Sequence, residues 1–378
     1  MGYRPALDGV RGLAILLVMG AHFGLGLPQG GRIGVTIFFA LSGYLITALL
    51  LAEHGKTGRI DLKAFWIRRG RRLLPALFVL VAAFLAYHLV RGGFRQAVPA
   101  ALITVFYLAN YAANFHVDLG LLAHTWSLAV EEQFYLWWPL ALLGLLAWWP
   151  KAVSRLVVIA AIGIALVKIW SFTTHTSFFF PVSRGDALLG GAALAVLGIS
   201  QVRWAFPIGL IGALAISFVP GDPPWIYVVA AALGVLIVAG AEGSFLAWSP
   251  LVFIGTISYS LYLWHQPAER ILKAIFPTYP LPVMIVIDTV VSLGLALGSY
   301  YIIEARFRKR RTGAPIVAGS GDSPVGPSES ESPGVVATPA VVATPSAKPV
   351  AALSRPSPAV ARKVELREAG TETPPSGA

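Results

Sequence analysis

Apolar runs of about 15 to 24 residues recur along most of the chain, and each ends at glycine, proline or basic residues. A helix rises 1.5 Å per residue, so each run is near the length that crosses the apolar core of a bilayer. The pattern predicts ten spanning helices, at about residues 8–27, 31–52, 72–91, 127–148, 154–172, 185–200, 204–220, 224–241, 250–274 and 282–304. We therefore predict an all-α integral membrane protein with these helices in one bundle.

A further apolar piece, at residues 97–113, affects the predicted topology. With ten spans and a cytoplasmic N-terminus, the basic residues of 56–72, 151–155, 203 and 306–311 all fall inside the cell. An eleventh span would place Lys151, Arg155, Arg203 and one terminus on the other side of the membrane. Because basic residues favour the cytoplasmic side, we interpret the piece as interfacial or re-entrant on the outer side. Both termini are then cytoplasmic, and the protein is a multi-pass component of the inner (plasma) membrane.

The composition changes at residue 312 and becomes rich in Pro, Ala, Ser and Val, with VVATP at Val335 repeated at Val341. Such a segment cannot bury enough apolar surface to fold. We predict a transmembrane domain at residues 1–311 and a disordered cytoplasmic tail at 312–378. The first apolar run contains a histidine and lacks a cleavage site of the Ala-x-Ala type, so it is interpreted as a retained span.

The composition agrees with a membrane protein and narrows the chemistry. Apolar residues make up 56% of the chain and charged residues 12%, whereas soluble domains carry about 25% charged residues. The net charge of +11 comes from short basic clusters between apolar runs. These clusters indicate topology and contact with membrane lipids rather than a nucleic-acid partner. The absence of cysteine excludes disulfides, thiolate nucleophiles and Cys-type zinc sites, and we predict no metal and no tightly bound cofactor.

The first predicted span carries Arg11 and His22, which are eleven residues apart and so lie on one helix face, roughly 16 Å from each other. An imidazole in an apolar helix needs a polar partner and is suited to general base catalysis near neutral pH. We predict that His22 is catalytic and lies toward the outer side. The alternative is a structural histidine bonded to a neighbouring helix.

A second polar cluster, HTWSLAVEEQFYLWWP, begins at His124. His124 and Glu131 are seven residues apart and would share a helix face, while Glu132 points elsewhere. A Glu131 carboxylate bonded to the second ring nitrogen of His22 would fix its tautomer and raise its basicity. The alternative is that the two glutamates pair with Arg184 or cap loop amides.

The sequence GTISYSLYLWHQP, followed by AE, places Ser258, Tyr262, His265 and Glu269 on one helix face. Hydroxyl and imidazole groups facing lipid would lack partners, so this stripe lines a cavity or packs against another helix.

Arg184 and Asp186 begin the sixth predicted span on the outer side. They are candidates for positioning an acceptor sugar, and a local ion pair is the alternative.

The basic run FWIRRGRRLLP begins at Phe65, on the cytoplasmic side. Its Arg68, Arg69 and Arg72 carry guanidinium groups that suit phosphate oxygens, and Arg11 is a fourth candidate for binding a donor. Anchoring to anionic lipid headgroups is the alternative. Arginines on the inside and a histidine with a carboxylate toward the outside fit a donor with a phosphate-rich head and a reactive end within the membrane. Acyl-coenzyme A meets this description.

These motifs resemble the membrane acyltransferase-3 family, over residues 5–307 and in the same order. The family's Arg and His separated by ten residues are Arg11 and His22, and its FFxxSG pattern ends at Ser42 and Gly43. The arginine-rich loop, the WSLxxEEQFY signature from Trp126 and the SYSLYLWHxP signature from Ser258 are also present. One departure is Glu304-Ala305-Arg306, where the family commonly has Glu-x-Pro, and this leaves the role of Glu304 open.

The resemblance implies a ten-helix bundle, acyl-coenzyme A as co-substrate and the first-span histidine as a catalytic residue. We expect a stand-alone O-acyltransferase that moves an acetyl or other short acyl group to a hydroxyl, with a carbohydrate as acceptor. In this hypothesis His22 is the general base supported by Glu131, and an acyl-histidine intermediate is a less favoured variant. Acceptor-binding or cavity-lining positions are Ser42, Trp126, Glu132, Arg184, Asp186, Ser258, Tyr262 and His265. A transporter or flippase of lipid-linked sugars is the alternative.

Overall fold

The computed structural model describes residues 2–173, 181–221, 223 and 225–309, and all regular structure within them is helical. The helices are α1 (Pro5–His22), α2 (Gly30–Thr57), α3 (Leu62–Val90), α4 (Phe94–Val105), α5 (Ala109–Asn114), α6 (Trp126–Trp148), α7 (Val153–Thr173), α8 (Pro181–Val196), α9 (Ala205–Ser217), α10 (Trp225–Ala239), α11 (Ser249–Thr256), α12 (Ser258–Ile275), α13 (Leu281–Ser299) and α14 (Ala305–Lys309). Short 3₁₀ turns occupy Gly120–Thr125 and Phe245–Ala247, and a π-helical turn at Tyr300–Glu304 joins α13 to α14. The predicted tail lies outside the described residues.

Each predicted apolar run contains a helix, although the first run, at 8–27, is helical only to His22. Among the described residues four helices are long and apolar enough to cross a membrane. They are Gly30–Thr57, Leu62–Val90, Val153–Trp170 and Leu281–Phe307. Three shorter apolar helices, α4, α9 and α10, accompany them. The all-helical, membrane-type class is therefore confirmed, whereas the count of ten spans stays a prediction.

The predicted span at 250–274 is wrong in one respect, because it consists of two helices that break at Ile257. Gly255 lies against the backbone of α1, and a Cβ added there would be 1.7 Å from the carbonyl oxygen of Asp8. The helix breaks two residues after this contact, at Ile257, and hydropathy does not indicate such a break.

The third predicted span begins ten residues earlier than expected, at Leu62, because the Asp61 carboxylate accepts a hydrogen bond from the amide of Ala64 (2.9 Å) and caps the helix. The arginine-rich run therefore forms the first turns of α3. Residues 97–113 form the two short helices α4 and α5, separated at residues 106–108, where Tyr107 has a positive φ of 54°. Twelve residues of α4 are too few to cross the apolar core.

Glycines let the helices at the centre of the bundle pack closely. A Cβ at Gly43 of α2 would lie 1.8 Å from the carbonyl oxygen of Leu188 in α8, and a Cβ at Gly191 of α8 would lie equally close to that of Ala40. Small residues at helix interfaces are the usual means of association in membranes, where apolar burial alone does not drive it. This packing fixes α2 against α8, while Phe38, Phe39 and Ser42 of α2 line a cavity that α1, α3, α6 and α12 also line.

Candidate active site

A polar cavity lies between α1, α2, α3, α6 and α12 and contains about 740 Å³ of space free of protein atoms, part of it open. Its polar lining includes Arg11, Ser42, Arg69, Arg72, Glu131, Glu132, Ser127, Ser258 and Tyr262. Phe38, Phe39 and Leu128 form much of the apolar wall. Residues predicted from five separate motifs are thus brought to one site.

A second opening of about 1200 Å³ borders the N-terminal end of α1 and the start of α3. It shares Arg11, Arg69 and Arg72 with the first cavity and adds Arg4 and Arg68. The three shared arginines therefore stand where the two spaces meet. All four predicted donor-binding arginines line this opening, and exposed Arg71 lines neither space.

The arginines are held individually. Arg11 forms an ion pair with Asp8 one turn earlier, and Arg68 approaches Glu53 at 3.4 Å. The Arg69 guanidinium lies 4.1 Å from the centre of the Tyr135 ring, a cation–π contact. Their positions around an open space, rather than along the surface alone, exceed what anchoring to lipid headgroups requires.

Glu131 belongs to this cavity and does not contact His22. Its carboxylate accepts hydrogen bonds from the hydroxyl of Ser42, which joins α2 to α6, and from that of Tyr135 on the next turn of α6. Glu132 lines the same cavity, so the expectation that it points elsewhere is wrong. Adjacent helical residues differ by about 100° in direction, and a wide cavity accommodates both. The hydrogen bond expected between Glu131 and the His22 ring is absent among the described residues.

His22 is the last residue of α1 and is oriented by its own helix. Its Nδ1 lies 2.8 Å from the carbonyl oxygen of Val18, and a carbonyl can only accept, so Nδ1 carries the proton. Nε2 is then left as the basic nitrogen. The ring of His265 lies 5.0 Å away, edge to face, and Lys273 donates to the backbone carbonyl of His22 at 3.3 Å. Besides α1 itself, α12 contributes both of these contacts, and Gly31 of α2 also lies close to the ring.

The predicted stripe on α12 faces the protein interior. Ser258, Tyr262, His265 and Glu269 are all buried, and the first two line the cavity. Tyr262 also connects the cavity to His22 through His265: its ring lies 5.4 Å from the ring of His265, which lies 5.0 Å from that of His22. Glu269 forms an ion pair with Lys273 on the next turn.

His124 lies in the 3₁₀ turn before α6, so it does not share a helix face with Glu131 as predicted. Its Nε2 donates to the carbonyl oxygen of Leu263 (3.1 Å), and its own carbonyl accepts from the hydroxyl of Tyr262 (2.9 Å). Burial, with the neighbouring His22, lowers the pKa of His124 to about 3, so this imidazole stays neutral. It joins the turn to α12.

Asp186 does not pair with Arg184, because its carboxylate binds Lys168 of α7 at 2.7 Å. Lys168 also donates to the carbonyl oxygen of Tyr227 (3.2 Å). The Arg184 guanidinium lies over the rings of Trp126 and Tyr227, at 5.1 and 5.2 Å. Lys168 was missed at the sequence level, although a lone cation inside an apolar run is a usable signal.

Comparison with known proteins agrees with the arrangement of these motifs. The acyltransferase-3 family model, described as an acyltransferase domain, matches residues 4–304. Peptidoglycan O-acetyltransferase OatA of Listeria monocytogenes is 32% identical over 81% of the chain and 56% of its own length. O-acetyltransferase OatA of Staphylococcus aureus is 32% identical over 82% of the chain and 58% of its own length. The putative peptidoglycan O-acetyltransferase YrhL of Bacillus subtilis is 32% identical over 81% and 55%.

The chain thus spans a little over half the length of these curated relatives. No solved structure matches it.

Proposed function

The chain belongs to the acyltransferase-3 family of membrane proteins, and on that premise we propose that it O-acetylates a glycan of the cell envelope. The relatives named as peptidoglycan O-acetyltransferases favour a sugar hydroxyl of the cell wall as acceptor. The donor in this proposal is acyl-coenzyme A. The protein lies in the plasma membrane with ten crossing helices and with both termini in the cytoplasm.

One observation carries the proposal, namely that Arg11, Arg69 and Arg72 line both the cavity and the opening beyond it. Planar guanidinium groups bind phosphate oxygens through paired hydrogen bonds. A donor whose phosphates occupy the opening can therefore extend its thioester arm past these arginines into the cavity. The eleven residues between Arg11 and His22 correspond to a rise of roughly 16 Å along α1, so the arm has to be long.

The chemistry is assigned to His22. Its Nε2 takes the proton of the acceptor hydroxyl while that oxygen attacks the thioester carbonyl. The C–S bond then breaks, the acyl group remains on the sugar oxygen, and the thiolate takes up the proton from the imidazolium. The bond from Nδ1–H to the Val18 carbonyl selects the tautomer of the neutral ring in which Nε2 carries the lone pair.

Glu131 receives a different role from the one expected from the sequence. Together with Glu132 it places two carboxyl groups in a cavity that contains Arg11, Arg69 and Arg72. Carboxyl oxygens there are hydrogen-bond acceptors for the guanidinium groups, which carry no acceptor of their own. Glu131 also fixes α2 against α6 through Ser42. We assign Glu131 to organising the donor cavity and not to the base.

The proposal is tested with membranes that contain the wild-type chain or His22→Ala, supplied with labelled acetyl-coenzyme A. Loss of a general base is expected to reduce transfer to the cell-wall glycan at least about 100-fold. His88→Ala is the matched control, since this ring packs against Phe84 and Tyr87, away from the cavity. Unchanged transfer by His22→Ala at normal abundance would contradict the assignment. Movement of a lipid-linked sugar without release of thiol would instead support a transporter.

A further inference from the structure

His265 has a buried nitrogen lone pair without a partner. Its Nδ1 lies 2.8 Å from the carbonyl oxygen of Tyr262 and 3.2 Å from that of Leu261, so Nδ1 must be the protonated nitrogen. Nε2 is therefore an acceptor, and within the described residues it has no hydrogen-bond partner although the side chain is fully buried. A buried acceptor without a donor is unfavourable and uncommon in proteins. Its persistence calls for a functional reason.

Three rings surround that of His265, and His22 lies nearer than Tyr262 (5.4 Å) and His124 (5.6 Å). The two imidazole centres are 5.0 Å apart, with an angle of 74° between the ring planes. When His22 accepts the proton of the hydroxyl it becomes a cation in partly apolar surroundings. A neutral imidazole beside it offers both a lone pair and an electron-rich ring face, and each stabilises a nearby cation.

The other candidates for supporting the imidazolium are already engaged. Glu131 accepts from Ser42 and Tyr135 in the donor cavity. Glu269, one turn beyond His265, forms an ion pair with Lys273. The tautomer of His22 is fixed through Val18, but a backbone carbonyl on the Nδ1 side does not explain the His265 ring.

We propose that His265 is the positioning partner of His22, holding its ring and stabilising its protonated form during acyl transfer. This inference rests on the proposed function of His22 as the base. In a catalytic triad a carboxylate bonded to Nδ1–H orients the ring and stabilises the imidazolium; here the Val18 carbonyl occupies the Nδ1 side and a neutral imidazole from α12 lies beside the ring. In an apolar environment such a partner avoids burying a second full charge beside the base.

The experiment compares His265→Phe with His265→Gln in the full chain, using labelled acetyl-coenzyme A and a cell-wall glycan acceptor. Phenylalanine keeps a ring but has no nitrogen, and a glutamine amide keeps one donor and one acceptor. We expect His265→Phe to lower kcat about 10- to 100-fold, with the KM for the donor within about twofold of wild type. His265→Gln is expected to lose only about three- to tenfold. His88→Phe is the matched control and is expected to retain wild-type kcat.

A purely structural role predicts a different result, in which both variants lose abundance together and kcat per folded molecule is unchanged. That result would overturn the inference, as would a wild-type kcat for His265→Phe or a loss confined to donor KM. If His265→Phe does not accumulate, His265→Gln decides, because an unchanged kcat in it would equally count against the proposal. Failure of the proposed function is distinguishable, since wild-type membranes would then transfer no acyl group.

Discussion

Asp186→Asn tests whether the buried ion pair of α7 and α8 is structural or binds the acceptor. The Lys168 and Asp186 side chains are 1% and 4% exposed, and their charged atoms are 2.7 Å apart. With an effective dielectric constant near 20, their attraction is about 6 kcal/mol, much of which offsets desolvation. Asparagine keeps the shape but leaves the lysine charge unbalanced, and breaking a buried pair from one side typically costs about 3 to 5 kcal/mol.

This loss is expected to lower the unfolding midpoint by roughly 5 to 8 °C. The assay is size-exclusion chromatography of detergent-purified protein after heating, with Asp118→Asn as the control. Asp118 accepts only from the amide of Gly120 at the surface, so its replacement is expected to change the midpoint by about 2 °C or less. Replacing both partners, with Lys168→Met and Asp186→Val, is expected to recover most of the loss. An Asp186→Asn chain that melts like wild type yet fails to transfer would refute this reasoning and assign Asp186 to the acceptor.

Two further predictions concern the ends of the site. Arg69→Ala is expected to raise the KM for acyl-coenzyme A at least about tenfold, because a charge-assisted contact contributes about 1.5 to 3 kcal/mol. Arg71 lies on the exposed face of α3, so Arg71→Ala is expected to leave this KM unchanged. Equal effects of the two, measured by initial rates in membrane vesicles, would favour anchoring to lipid. Lys273→Ala frees the carbonyl end of α1 and is expected to lower kcat about three- to tenfold at constant donor KM, with recovery in Lys273→Arg. A Lys273→Arg variant as slow as Lys273→Ala would argue against the hydrogen bond from residue 273 to the His22 carbonyl as the cause of the loss.

Much of the fold follows from hydropathy, because an apolar run of spanning length has few alternatives to a helix. The positions at which helices break or begin do not follow from hydropathy. The break at Ile257 depends on the contact of Gly255 with α1, which lies some 250 residues away in sequence. The early start of α3 depended on a capping residue, Asp61, outside the apolar run. The capping residue was therefore enough to predict where α3 begins, but the hydropathy pattern did not include it.

The candidate site shows the same division. The arginine-lined cavity and the buried face of α12 follow from residue type and helical spacing. The partner of His22 does not, because spacing gives the direction of a side chain but not its depth relative to another helix. Glu131 faces the bundle interior as predicted, but at the level of Arg11 and Ser42. His265 was identified only as a member of a polar stripe.

Depth along the bundle also explains why donor binding and base chemistry use separate residues. Arg11 and His22 share α1 but differ by roughly 16 Å in height. A carboxylate beside His22 would place a full negative charge close to the thiolate that forms there and would disfavour its departure. A neutral imidazole at His265 stabilises the imidazolium without that repulsion, while Glu131 and Glu132 remain with the arginines. The separation thus keeps Glu131 and Glu132 away from the point where a new negative charge develops, and the nearer Glu269 is paired with Lys273.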